Sequence, residues 1–168
     1  MLGGGGVNNR PVWREFQIGG LFTVERGKRL INSNRKTGNL AYYSAAESNN
    51  GLTDFINNPL FTTANKLIHT TFGDVYYVKN KFTASDEITI LDNEKLNRYV
   101  GLFLSKVMNN NKNKFAFGYK AFTERVKRQT ILIPVDNNGN PDYAYMENYM
   151  RNIEIKKISQ YVKFLKYN

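Results

Sequence analysis

The chain of 168 residues has no cysteine, one histidine, one tryptophan and four prolines. Without cysteine it can build neither a disulfide framework nor a thiolate metal site, and it suits a reducing cytoplasm. A zinc site at the lone His69 would need an otherwise all-carboxylate ligand set, so Cys–His and metal–histidine chemistry is excluded and His69 reads as a satisfied strand residue. No serine stands in a nucleophile-elbow pattern. No apolar run is long enough to span a bilayer. Met1 to Gly6 lacks the apolar core of a signal peptide, and residues 1–7 are read as a flexible leader or cloning remnant.

Negative charge is also scarce: 14 acidic residues face 24 Lys and Arg, a formal charge of +10. That excess points to a polyanionic partner. Nucleic acid ranks above an acidic membrane, because the cations are spread along the chain and not gathered on one amphipathic helix. With 41% hydrophobic and 14% aromatic residues, the chain can bury one substantial core.

The densest cationic stretch runs from Lys112 to Pro134. There Lys112, Lys114, Lys120, Arg125, Lys127 and Arg128 interleave with Phe115, Phe117, Tyr119 and Phe122, opposed only by Glu124. It closes on the strand-like Thr130-Ile131-Leu132-Ile133-Pro134. Upstream, Val12 to Phe22 carries large apolar residues on both sides of a Gly19-Gly20 break, with Trp13 expected in packing between elements. Thr23 to Leu30 reads as a short strand entering a basic Gly27 turn, and Leu40 to Ala45 as a strand. Asn50-Gly51 marks a turn. Leu67 to Phe72 and Val75 to Val78 flank the hairpin signal Gly73-Asp74, and Lys79 to Asp86 reads as a polar, basic elbow before the strand Glu87 to Leu91.

Between Glu94 and Met108, apolar residues at 96, 99, 100, 103, 104 and 107 predict a core helix capped by Asp92 or Asn93. Asp136 to Asp142 is rich in turn formers. Beyond it, Tyr143 to Tyr167 contains no Gly or Pro, and Ile155, Ile158, Val162 and Leu165 follow heptad spacing, a seam that wants a partner helix. The fold expected is α+β: a twisted, mostly antiparallel sheet, a helix against it and a protruding C-terminal helix.

Two enzyme-like patterns need weighing. Asn58-Pro59-Leu60-Phe61 lacks the second proline of the adenine-holding loop of amino-methyltransferases. Pro141-Asp142 with Glu154-Ile155-Lys156 spells the pattern of many magnesium nucleases, but Glu154 and Lys156 fall two residues apart in a predicted helix and do not share a face. A nuclease using Asp142, Glu154 and Lys156 stays as an alternative. Another is an RNA-binding module stacking bases on Phe115, Phe117 and Tyr119.

Six segments together resemble the specificity (S) subunits of Type I restriction-modification systems and the related Type IIB, BcgI-like subunits. They are Trp13-Arg14-Glu15-Phe16 with Ile18-Gly19, Leu21-Phe22 and Gly27; Tyr42-Tyr43-Ser44-Ala45; Asn49-Asn50-Gly51 with Thr53-Asp54-Phe55; Phe82-Thr83-Ala84-Ser85-Asp86; Thr130 to Val135; and Gly139 to Tyr143 with Met146-Glu147. The resemblance implies a DNA methylase specificity-domain-like target recognition domain over 8–140 and a spacer or dimerisation helix over 141–168. It implies a non-catalytic reader of one half of a bipartite duplex DNA site. S-adenosylmethionine would sit on a methyltransferase (modification) subunit, and ATP and Mg on partner subunits that include, in many systems, a restriction subunit; no cofactor or metal is expected on this chain.

With one recognition domain, the chain is either a half-subunit that forms a homodimer or a piece of a subunit with a second recognition domain. From residue type and predicted exposure, Lys28, Arg29, Lys81, Lys112, Lys114 and Lys120 are expected to contact phosphates. Tyr43, Ser44, Asn49, Asn50, Thr83 and Ser85 are expected to read bases or grooves, and Ile155, Ile158, Val162 and Leu165 to form the helix seam.

Overall fold

A computed structural model describes residues 10–112 and 120–167. In chain order these form β1 (Val12–Gln17), a single helical turn α1 (Ile18–Leu21), β2 (Thr23–Arg26), β3 (Thr37–Tyr43), β4 (Leu52–Ile56), β5 (Lys66–Thr70), β6 (Val75–Val78), β7 (Phe82–Ala84), β8 (Ile88–Asp92), α2 (Arg98–Asn109), α3 (Thr123–Arg128), β9 (Thr130–Val135) and α4 (Tyr143–Tyr167). The Gly19-Gly20 break is therefore the helical turn α1. None of the described helices is long and apolar enough to cross a membrane.

The middle layer is an antiparallel sheet of order β2-β8-β5-β6. Its central strands β5 and β8 are buried on both faces, and the period of two sorts their side chains. Leu67 lies opposite Leu91 and Ile68 opposite Ile90. Leu67, Leu91 and Val75 face α2, meeting Val100, Phe103, Leu104 and Met108 together with Ile131, Ile133 and Met146. Ile68, Val78, Ile88 and Ile90 face the other way, onto Phe82 and Ala84 of a second sheet. Fully burying one such aliphatic or aromatic side chain contributes about 1.5–3 kcal/mol, so two filled faces fix the register of the shared sheet.

The second sheet has order β4-β3-β7. Here β3 and β4 are antiparallel, whereas β3 and β7 run parallel. The elbow expected over 79–86 is thus half wrong, since Phe82 to Ala84 is a buried strand. Its pairing partner lies some forty residues away in β3 (Ala41 opposite Phe82). The third pairing, β1 with β9, is antiparallel over its full length.

The helix predicted from Glu94 begins at Arg98. Asn97 accepts the backbone N–H groups of Tyr99 (2.9 Å) and Val100 (3.1 Å), a stronger start signal than Asp92 or Asn93. Asn93 instead accepts from Lys95 N–H and donates to Leu21 O and the Tyr143 hydroxyl. Gly101 sits where α2 crosses the sheet; any Cβ there would overlap the Tyr77 ring, whose hydroxyl is pinned to Asn65 Oδ1 at 2.6 Å.

The first half of α4 docks on α2. Met146 is buried, Tyr149 packs edge-on against Phe103 at 5.8 Å, and Asn97 Nδ2 donates to Glu147 at 2.8 Å. Trp13 stacks on the same Phe103 at 6.1 Å and 22°, packing between elements while remaining 41% exposed. From Ile155 onward every described α4 residue is exposed.

Candidate nucleic-acid interface

Backbone hydrogen bonds gather sequence-distant loops at one end of the strands of the two sheets, a rim of loops that forms one edge of the molecule. After β2, Gly27 N–H donates to Ile88 O (2.9 Å) and Lys28 N–H to Ala84 O (3.0 Å), laying the basic turn on the 84–88 segment. Only glycine fits this approach, because a Cβ on Gly27 would overlap the Ser85 carbonyl oxygen. Asp86 then holds two arginines. Arg26 Nε donates to its carbonyl (2.7 Å), Arg26 Nη2 reaches Oδ2 (3.5 Å), and Arg29 Nε donates to Oδ1 (2.9 Å). The hydrogen bond to Asp86 raises the Arg29 pKa above its ordinary value.

The edge continues through the hairpin turn between β5 and β6. Thr71 N–H donates to Glu87 O (3.2 Å) and Ala121 N–H to Thr71 O (2.9 Å), which brings Lys120 alongside. Lys112 Nζ meets Asp74 Oδ1 of that turn at 2.7 Å, and this bond raises the lysine's pKa. On the other flank, Ser85 N–H donates to Tyr43 O (2.8 Å) and Ser44 N–H to Gly51 O (2.9 Å), closing the 44–51 loop. Asn49 and Asn50 stand exposed at its tip, with φ of 51° and 54° in the left-handed region that asparagine tolerates.

Between this loop and the basic turn lies a cleft of about 320 Å³, lined by Arg29, Asn32, Arg35, Tyr42, Ser44 and Asp86 among others. Arg35 forms its floor: its guanidinium lies 4.1 Å from the Tyr42 ring centroid, its Nε donates to Leu30 O (3.0 Å), and its Nη1 lies 3.5 Å from Asp54.

Lys28, Arg29, Lys112, Lys120, Ser44, Asn49 and Asn50 therefore share one edge. Lys81 does not: it precedes β7, while Ser85 follows it, and the three residues of that strand hold them about 13 Å apart. Thr83 and Ser85 are 2% and 5% exposed, so the exposure on which they were chosen is absent. The pairing of β7 with β3 buries them, and Ser85 Oγ accepts Glu87 N–H at 3.2 Å. Tyr43 is half-buried, its ring edge-on to Phe82 at 5.5 Å, and burial raises its pKa. Lys114, Phe115, Phe117 and Tyr119 lie outside the described residues.

Sequence reading missed Arg26, Arg35 and the bridging role of Asp86. The available signal was Arg26 beside Gly27 and a lone acid closing the polar stretch 79–86.

The nuclease pattern dissolves in the structure. Asp142 Oδ1 accepts Tyr145 N–H (2.8 Å) at the start of α4, and Glu154 follows twelve helical residues later, about 18 Å along the axis. Glu154 is held below the usual carboxylate range, first by the Tyr99 hydroxyl at 2.6 Å and also by Arg98, which lies 2.7 Å away. Two carboxylates so placed cannot share an ion. Among the described residues no group of three or more His, Asp or Glu could hold a metal.

Distal α4 presents Ile155 (61% exposed), Ile158 (56%), Val162 (44%) and Leu165 (58%), with exposed Tyr161 and Phe164 beside them.

A family model for the Type I restriction modification DNA specificity domain matches residues 12–162. The specificity subunit S.BcgI of the Type II restriction enzyme BgcI, from Heyndrickxia coagulans, is 33% identical over 154 residues, 88% of this chain and 45% of that protein. The solved S subunit of the Type I restriction-modification system of M. genitalium superposes with a TM-score of 0.63 at 14% identity, covering 92% of this chain and 42% of that one. The HsdS subunit of Thermoanaerobacter tengcongensis gives 0.60 at 12%, covering 92% and 40%. The chain thus spans less than half the length of each of these relatives.

Proposed function

The chain belongs to the family of Type I restriction modification DNA specificity domains, and we propose that it reads one half of a bipartite duplex DNA site and leaves all bond-making to partner subunits. The observation that carries this reading is the loop edge, on which Lys28, Arg29, Lys112 and Lys120 flank the Ser44 to Gly51 loop, exposed at its tip from Glu47 to Asn50, and the cleft beside it. Cations around polar loops suit a surface that holds phosphates and presents donors and acceptors to base edges. In this proposal a methyltransferase subunit docks on the assembly and brings S-adenosylmethionine, and a restriction subunit, where present, brings ATP and Mg. The distal seam of α4 pairs with a second recognition domain, in a second copy or in the same longer protein.

Selection from a random duplex library by this chain together with its methyltransferase subunit tests the reading. The expected outcome is one recurring half-site sequence, with binding that single-stranded RNA fails to compete. Duplexes recovered without any sequence preference, or displacement by the RNA, would sink it.

A further inference from the structure

Resting on that reading, we propose that Arg29 is a base reader directed at a guanine, with Asp86 as its positioning residue, and not one more phosphate grip. Arg29 spends its Nε on Asp86 Oδ1 at 2.9 Å, and among the described residues its two terminal nitrogens make no hydrogen bond. Fixing Nε on a carboxylate leaves the two Nη groups side by side in the plane of the guanidinium, pointing away from that carboxylate. That two-pronged donor edge matches the O6 and N7 acceptors of guanine in the major groove. Adenine offers N7 but places a donor amine where guanine has O6, so the same fork repels it.

Charge argues the same way. Asp86 binds both Arg26 and Arg29 and is itself only a quarter exposed. Three residues together carry a net charge of +1, and the carboxylate between the arginines opposes an approaching phosphate. A group meant to anchor the backbone gains nothing from such a partner. The exposed Lys28 next to it and Lys120 farther along the edge are better placed for that task, as flexible point charges. A group meant to read a base gains orientation, since the pairing removes rotamer freedom before DNA arrives. Arg29 also borders the cleft that Ser44 helps to line, at the start of the loop that carries Asn49 and Asn50.

The same duplex selection, run on the wild-type chain and on Arg29→Lys, Arg29→Ala and Asp86→Asn, tests this. Arg29 is exposed, so its two variants are expected to unfold at the wild-type denaturant midpoint, while Asp86→Asn, which weakens the hold on both arginines, need only remain folded at the temperature of the selection; both are checked first. Arg29→Lys keeps the charge and loses the fork: preference for G at one position of the selected half-site should fall about 5- to 150-fold, with the other positions unchanged. Asp86→Asn should relax that same position more weakly and no other. The salt dependence of Arg29→Lys should match wild type.

An unaltered selected sequence for Arg29→Lys, or an Arg29→Ala variant that loses about 0.9 in log-log salt slope at unchanged preference, would return Arg29 to the phosphate contacts and overturn the proposal. A wild-type chain that selects no sequence at all would instead overturn the broader reading and this inference with it.

Discussion

At the scale of single residues, His69 is a titratable side chain held inside the core. It lies 1% exposed in β5, with Nδ1 2.8 Å from Thr70 O. Burial pushes its pKa from 6.5 down to about 4, against smaller raising effects of the Thr70 hydrogen bond and Asp74. The fold therefore favours neutral imidazole. In the unfolded chain the ring takes up its proton as pH falls through 6.5, whereas in the folded chain it does so only near 4. The unfolded state binds more protons across that window, so stability is full above pH 6.5 and declines to about pH 4, by about 3 kcal/mol in all. Urea unfolding of wild type and His69→Gln at pH 7.5 and 4.5 checks this. The variant is expected to be weaker at both pH values but to lose much less between them; an equal loss in both proteins would show that His69 is not the titrating group. Glu147 and Glu154, whose pKa values are depressed by Arg151 and Tyr99 respectively, add their own decline below about pH 4.5 in both proteins and drop out of the comparison.

The same scale shows what residue type can and cannot say. His69 was legible as a strand residue, because a lone histidine without cysteine has no ligand set to join. Thr83 and Ser85 were not legible. A hydroxyl residue in a run of lysine, asparagine and aspartate looks exposed, and only the parallel pairing of β7 with β3 puts both inside. Arg29 was legible as a surface cation, while its partner Asp86 sits 57 residues away.

At the scale of elements, local periodicity carried furthest and non-local pairing was lost. The hairpin β5–β6, the apolar stripe of α2 and the break before α4 are all written in short-range spacing and turn residues. The Asn97 cap displaced the start of α2 by four residues, because Asn93 and Asn97 are equally good caps by type and only the contacts to Leu21 and Tyr143 occupy the first. Helix α4 combines two behaviours. Its first half is fixed on α2 by Met146, Glu147, Arg151 and Glu154, whereas Ile155, Ile158, Val162 and Leu165 are exposed. A helical segment of roughly ten residues is marginal alone in water. Ile158, 56% exposed at the centre of the seam, is the sharpest probe of a helix partner. Ile158→Glu is expected to leave the unfolding free energy of the monomer, from urea titration, within about 0.5 kcal/mol of wild type, as for an exposed site, while abolishing self-association in sedimentation velocity. Wild-type chain that sediments as a monomer at high concentration would remove the second-copy arrangement and leave a second recognition domain in a longer protein.

At the scale of the whole molecule, a net charge of +10 guarantees some attraction to any polyanion, so bare affinity for DNA says little about where the duplex lies. The fold makes a narrower statement: Lys28 and Lys120 share the loop edge, and Lys81 stands beyond the far end of β7. Counterion release counts only the phosphates actually neutralised, at about 0.9 of log-log slope for each. Lys28→Ala and Lys120→Ala are therefore each expected to lower the magnitude of the salt slope by about 0.9 without altering the selected sequence, and the double variant by about twice that, because well-separated contacts add. Lys81→Ala removes the same formal charge and is expected to leave the slope at its wild-type value. Lys112 differs from all three, since its loss also bares Asp74, now unpaired, to the approaching backbone; its variant should weaken binding by more than the change in slope accounts for. Fluorescence anisotropy of one labelled duplex between 50 and 300 mM salt separates these cases. Equal slopes for the Lys28, Lys81 and Lys120 variants would mean that the duplex responds to overall charge and not to the loop edge, and the interface would have to be sought on another face.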